Sequence, residues 1–238
     1  LTPVYAVFMQ EHGMSGFQLA LMFVILSAGT FLTQIPVTWI TNKIGTKPAI
    51  ILGQILKATA FILWYFWPTF SGFAIGMFLW GMEWAFFNVA FEGMVYDELR
   101  ARKHQKMYTR VLGVRYNVQS AGTALSAFGS LLMFAGYGWI TLASLAALGL
   151  SIWCVIRMQL QQVQNHSSQI PQTNFIKLFK TGVRICGRTP CILLMLLLSL
   201  FVANIPYLDD FLSPIGIEIG LPVEYVGVVQ FLLLGCAV

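Results

Sequence analysis

Long apolar runs alternate along the chain with short loops that are either rich in Lys and Arg or lack them. A hydrocarbon core about 30 Å thick needs roughly 20 helical residues to span it. Six runs reach that length, at residues 17–40, 48–67, 70–95, 108–135, 138–158 and 190–211. Since 58% of the residues are hydrophobic and only 10% are charged, a soluble domain is excluded. The sequence predicts an all-α polytopic membrane protein with six full transmembrane helices and two partial ones, at residues 1–10 and 223–238.

The basic residues predict how the chain is oriented. Twelve of the fourteen Lys and Arg residues lie in or beside three loops, at 41–47, 97–108 and 157–189. Because basic loops are retained in the cytoplasm, we expect these loops to face the inside of the cell (inner) membrane. The charge is spread over separate loops, which argues against nucleic acid as a partner. The other two cations, Lys57 and Arg115, fall inside apolar runs.

A polar segment divides the predicted helices into two groups. Residues 159–173 are rich in Gln and Ser, as flexible linkers are, and residues 174–187 have the pattern of an amphipathic helix on the membrane surface. We therefore expect a transmembrane bundle at 1–158, a cytoplasmic linker at 159–189 and the start of a second bundle at 190–238. The chain has no initiator Met, and we interpret it as a fragment that lacks most of its first helix and the helices after the eighth.

Two local patterns accompany this organisation. Residues 38–47 read Thr-Trp-Ile-Thr-Asn-Lys-Ile-Gly-Thr-Lys, against a family pattern of Gly-x-Leu-Ala-Asp-Arg-x-Gly-Arg-Lys. Residues 92–99 read Glu-Gly-Met-Val-Tyr-Asp-Glu-Leu, similar to the E-A-x-x-Y-D-x-L run that closes a fourth helix. With two groups of spans joined by a long basic loop, the chain resembles the major facilitator superfamily (MFS) of secondary transporters.

The resemblance implies a role for the loop at 41–47. In that superfamily it is thought to latch two helical bundles together on the cytoplasmic side, and Gly45 permits the tight turn it requires. Asn42 replaces the carboxylate of the pattern, so the charge pairing of this loop is either weaker here or supplied by acidic residues at the end of the fourth helix. The expected latch residues are Asn42, Lys43, Gly45, Lys47, Glu92 and Asp97. The alternative, in which Lys43 and Lys47 only set the topology, stays open.

Glu83 is the main candidate for a functional group. Ionisable side chains in the hydrocarbon region are costly and usually face a partner or a water-filled cavity. Glu83 lies near the middle of its span and shares a helical face with Trp80. The resemblance implies that the fourth helix lines the central cavity, where Glu83 would bind a proton or a cation. Alternatively, Glu83 is a structural partner of Arg115 or Lys57.

Arg115 begins a polar stripe that continues with Gln119 on the fifth helix. It lies about 10 Å from the cytoplasmic end of that helix, at a depth that allows an ion pair with Glu83 or Glu92. Such a pair would act either as a gate formed in one transport state or as a permanent structural contact. Asn204, near the end of the seventh helix, completes the predicted substrate and proton pathway. Lys57 would snorkel or pair internally.

These features predict a secondary active transporter of a small solute that works by alternating access and is proton-coupled, in drug or metabolite efflux or uptake across the plasma membrane. Its partners would be the small-molecule substrate, a coupling proton or ion and the lipid bilayer, and we expect a monomer without a cofactor or metal. An enzyme is disfavoured because the sequence has no HExxH, GxSxG or Walker pattern. The alternative is a transporter-like membrane receptor or scaffold that does not transport.

Overall fold

The computed structural model describes residues 5–127 and 136–158, and five single positions at 184, 190, 191, 194 and 198. Two continuous stretches of chain are therefore described. They contain six α-helices: α1 (Tyr5–Glu11), α2 (Gly16–Ile44), α3 (Thr46–Phe66), α4 (Phe70–Ala101), α5 (Tyr108–Ala127) and α6 (Tyr137–Arg157). A single 3₁₀ turn (Gln105–Met107) precedes α5.

Local signals mark the ends of the helices. Ser15 caps α2: its hydroxyl accepts from the Gln18 backbone N–H at 3.3 Å, and its own N–H donates to the Gln18 side chain at 2.9 Å. Gly45 alone separates α2 from α3 and has a φ of 90°, which a residue with a Cβ rarely adopts. The tight turn expected there is therefore present.

Within the described residues the apolar runs correspond to helices, and α4 is longer than its run. It continues from residue 95 to Ala101, where Arg102 Nε donates to Glu98 Oε1 at 2.8 Å. A pair spaced i, i+4 stabilises the last turn of an exposed helix. As a result, the basic loop expected at 97–108 is largely helical.

Helix α4 packs between α2 and α3. A Cβ on Gly29 of α2 would lie 2.7 Å from the backbone oxygen of Phe78, and one on Gly53 of α3 would lie 3.0 Å from Cβ of Phe86. Thr30 strengthens the α2 contact by donating its hydroxyl to the Gly81 carbonyl of α4 at 3.0 Å. Small residues at helix crossings allow this close approach in membrane proteins.

The buried side chains form two clusters along α4. The cluster near the start of α4 is mainly aromatic, with Tyr5, Phe23, Phe61, Trp64, Phe73 and Trp80 among its members. The cluster toward the Gly45 turn is smaller and includes Val37, Ile50, Phe86 and Met94. Of the candidate functional residues of α4, Trp80 belongs to the aromatic cluster, and Glu83 lies between the two clusters along the helix.

Four of the described helices are long and apolar enough to cross a membrane: α2, α3, α4 and α6. The prediction of an all-α membrane bundle is therefore confirmed. Helix α5 falls short of that apolar content over its described length, because Arg110, Arg115 and several amides and hydroxyls interrupt it. The expected spans at 190–211 and 223–238, and the expected linker at 159–189, lie outside the described residues except for the five single positions.

Candidate functional site

An ion pair joins α3 and α4 in the interior of the bundle. Lys57 Nζ of α3 lies 3.7 Å from Glu83 Oε2 of α4, and the Glu83 side chain is only 6% exposed while that of Lys57 is 23% exposed. This distance exceeds that of a good N–H···O hydrogen bond, so the contact is mainly electrostatic. Two opposite charges are much less costly in an apolar interior when they lie together than when either is alone.

Aromatic rings form one side of this pair. Lys57 Nζ lies 5.3 Å from the ring centroid of Trp80, close enough for a cation–π attraction. Trp80 in turn contacts Tyr5 at 5.3 Å and Phe61 at 6.0 Å between ring centroids. Within the described residues, the buried Nε1 of Trp80 has no hydrogen-bond partner. The pair therefore has an apolar environment in which the charge on Glu83 depends strongly on Lys57.

A second cation is buried between α4 and α5. The Arg115 side chain is 7% exposed, and its NH2 group donates to Asn88 Oδ1 at 2.5 Å. Its NH1 group lies 3.6 Å from Glu92 Oε1, which belongs to a side chain that is 42% exposed. Arg115 thus donates a hydrogen bond to an amide and lies near a carboxylate that is partly exposed.

Three aromatic rings surround the Arg115 guanidinium. Its Cζ atom lies 5.0 Å from the ring centroids of Phe87 and Phe91 on α4, and 5.3 Å from that of Tyr116 on α5. The Phe87 and Phe91 rings stack on each other at 5.5 Å. Cation–π contacts of this kind offset part of the cost of burying the charge.

The loop between α2 and α3 contacts the end of α6. Lys47 Nζ donates to the backbone carbonyl oxygen of Met158, the residue after α6, where a cation also complements the helix dipole. Lys43 Nζ lies 3.8 Å from the Trp39 ring centroid. In the described part of the chain, neither lysine forms an ion pair with Glu92 or Asp97. The expected latch stays a prediction. The contact that the structure shows for this loop is the one between Lys47 and the end of α6.

The whole sequence matches one known protein family. A sequence profile described as Major Facilitator Superfamily matches residues 1–238. The chain belongs to the Major Facilitator Superfamily. No curated protein and no solved structure matches it. As a superfamily member, the chain is an integral membrane protein and a secondary transporter of small molecules.

In this MFS protein the predicted pathway residues do not all come together. Glu83 pairs with Lys57, which also lies over the ring of Trp80. Arg115 lies beside Glu92 instead of Glu83. Gln119 is exposed on α5. Asn204 lies outside the described residues.

The sequence pattern does not single out Asn88, although it makes the shortest contact to Arg115. One signal could have identified it. Asn88 precedes Glu92 by four residues, so the two side chains share a face of α4. A cation on the neighbouring helix at that depth can therefore contact both of them.

Proposed function

We propose that this MFS protein moves a small solute by alternating access and couples that movement to a proton carried by Glu83. The observation that supports the proposal is the buried Lys57–Glu83 pair at 3.7 Å. A carboxylate in the membrane interior needs a counter-charge or a proton. Lys57 supplies the first, and a proton entering from solvent would supply the second.

Lys57 and a proton are alternative ways to neutralise Glu83. Binding a proton removes the negative charge from Glu83, and the attraction that holds Lys57 beside it is lost. The Lys57 side chain is 23% exposed and that of Glu83 only 6%, so Lys57 has more room than Glu83 to move out of the pair. Protonation would therefore loosen the contact between α3 and α4, which gives the protein two arrangements whose populations depend on the proton.

The proposal is tested with the purified protein in vesicles loaded with a pH-sensitive dye. Small organic cations, organic anions and sugars are added one at a time outside the vesicles, and the internal pH is followed. We expect at least one solute to cause proton movement with the natural protein. The same solute should cause none with Glu83→Gln, which keeps the shape of the side chain but cannot exchange a proton.

A matched control comes from the same helix. Glu98 pairs with Arg102 at the end of α4, far from the buried pair, so Glu98→Gln should retain proton movement. Unchanged proton movement with Glu83→Gln would refute the coupling role. Specific solute binding without any solute or proton movement in the natural protein would instead support a transporter-like receptor.

A further inference from the structure

We infer that Arg115 binds the carboxylate of a small organic anion, which makes organic anions the substrate class of this carrier. This inference rests on the proposed transport function. Arg115 has five N–H groups, and among the described residues its Nε and NH1 atoms have no hydrogen-bond partner. Those two atoms carry three of the five N–H groups.

Unpaired buried donors are rare in proteins because each loses its bonds to water and gains none in return. The Arg115 side chain is 7% exposed, so bulk water does not satisfy these donors. A guanidinium with free N–H groups matches the two oxygens of a carboxylate in geometry and charge. The arrangement is therefore incomplete in a way that a carboxylate ligand would complete.

The carboxylate already nearby is a weak partner. Glu92 Oε1 lies 3.6 Å from Arg115 NH1 and its side chain is 42% exposed. At 3.6 Å the Glu92 carboxylate forms no hydrogen bond with NH1, and a partly exposed side chain has room to turn away from the guanidinium. An incoming anion can therefore displace Glu92 from the guanidinium, while Asn88 continues to hold NH2 at 2.5 Å.

The aromatic rings around Arg115 favour a ligand whose body, apart from the carboxylate, is apolar. Phe87, Phe91 and Tyr116 lie around the guanidinium with ring centroids 5.0 to 5.3 Å from Cζ. An apolar or aromatic body attached to the carboxylate would be buried against these rings and gain from that burial. A fully hydrated inorganic anion would gain nothing from them. The site thus favours aromatic and other apolar carboxylates.

The experiment measures equilibrium binding of benzoate, with uncharged benzamide as the shape control. The purified protein is held in nanodiscs of phosphatidylcholine, a lipid with no net charge, and binding is followed by ligand-observed NMR. We expect benzoate to bind and benzamide to bind much more weakly. Arg115→Gln should weaken benzoate binding about tenfold or more, because charge-assisted hydrogen bonds are lost.

Two further variants separate binding from folding. Glu92→Gln keeps Arg115 and removes the competing carboxylate, so it should bind benzoate more tightly than the natural protein. Arg110→Gln removes an exposed cation one and a half turns earlier on α5 and should leave binding unchanged. Equal binding of benzoate and benzamide would overturn the inference, as would binding by Glu92→Gln that is no tighter than that of the natural protein.

A lipid phosphate could also bring an anion to Arg115, and a second membrane composition distinguishes the two sources. Replacing half of the phosphatidylcholine with anionic phosphatidylglycerol should leave benzoate binding unchanged. Loss of benzoate binding there, restored when the anionic lipid is removed, would show a headgroup site and overturn the inference. The assay measures binding at a single pH and needs neither a pH gradient nor proton movement. Failure of the anion site and failure of proton coupling are therefore separate results.

Discussion

Lys57 lowers the free-energy cost of burying the ionised carboxylate of Glu83 in α4. Without it, an ionised Glu83 would lie with its side chain 6% exposed and without its counter-charge, at a cost of about 3 kcal/mol. Protonation removes that charge, so the cost falls as the pH falls. We predict that Lys57→Met lowers the unfolding temperature of the purified protein, and lowers it more at about pH 8 than at about pH 5.

A double variant tests the electrostatic cause. Lys57→Met combined with Glu83→Gln removes both charges with little change in volume, so it should recover most of the lost stability at both pH values. Lys106→Met, in the exposed turn before α5, should leave the unfolding temperature unchanged. If Lys57→Met were as stable as the natural protein at the higher pH, Lys57 would not be the partner that neutralises Glu83.

The crossing of α2 and α4 depends on the absence of a side chain at Gly29. A Cβ at that position would lie 2.7 Å from the Phe78 backbone oxygen. A backbone atom cannot relieve this clash by changing rotamer, as a side chain could. We predict that Gly29→Ala forces the helices apart and destabilises the protein by about 2 kcal/mol, as overpacking does. Thermal unfolding in detergent measures this loss.

Helix α5 offers the matched control. A Cβ at Gly122 would meet no atom within 4 Å among the described residues, and alanine is the better helix former by up to about 1 kcal/mol. Gly122→Ala should therefore be neutral or stabilising. Equal losses from Gly29→Ala and Gly122→Ala would mean that the close approach of α2 to α4 does not determine stability.

Helix positions were predictable from the sequence because a membrane imposes both a length and an apolar composition on each span. The runs predicted at 17–40 and 48–67 agree with α2 and α3 to within four residues at each end. The extension of α4 was not predictable from hydropathy, since its last turns contain the charged residues Asp97, Glu98 and Arg100. Polar residues along α5 lower its apolar content over the described length, so hydropathy alone does not mark α5 as a span.

Charge partners were less predictable than helices. The spacing of Glu83, Glu92 and Arg115 along the chain gives their depths but not the rotation of each helix about its axis. That rotation depends on close contacts such as Gly53 against Phe86, which turn α3 so that Lys57 meets Glu83. Arg115 consequently lies beside Asn88 and Glu92, a pairing that requires three-dimensional information.

The distribution of charge over the bundle predicts its orientation in the cell membrane. The basic end contains the Gly45 turn, the end of α4 and the end of α6, where Lys47 contacts Met158. The opposite end contains the loops near residues 13 and 68, which carry no Lys or Arg. Because basic loops stay in the cytoplasm, we predict that the first set of loops faces inward and the second faces outward.

Cysteine labelling in whole cells measures this orientation. In a background whose four cysteines are replaced by alanine, Ser71→Cys at the start of α4 should react with a membrane-impermeant maleimide added outside. Lys103→Cys, in the exposed loop after α4, should react only after the cells are opened. Lys47 and the other basic side chains would contact anionic headgroups of the inner leaflet in that orientation. Labelling of Lys103→Cys in intact cells, with Ser71→Cys protected, would show the opposite orientation. The half-exposed Glu92 would then lie toward the outer side of the membrane.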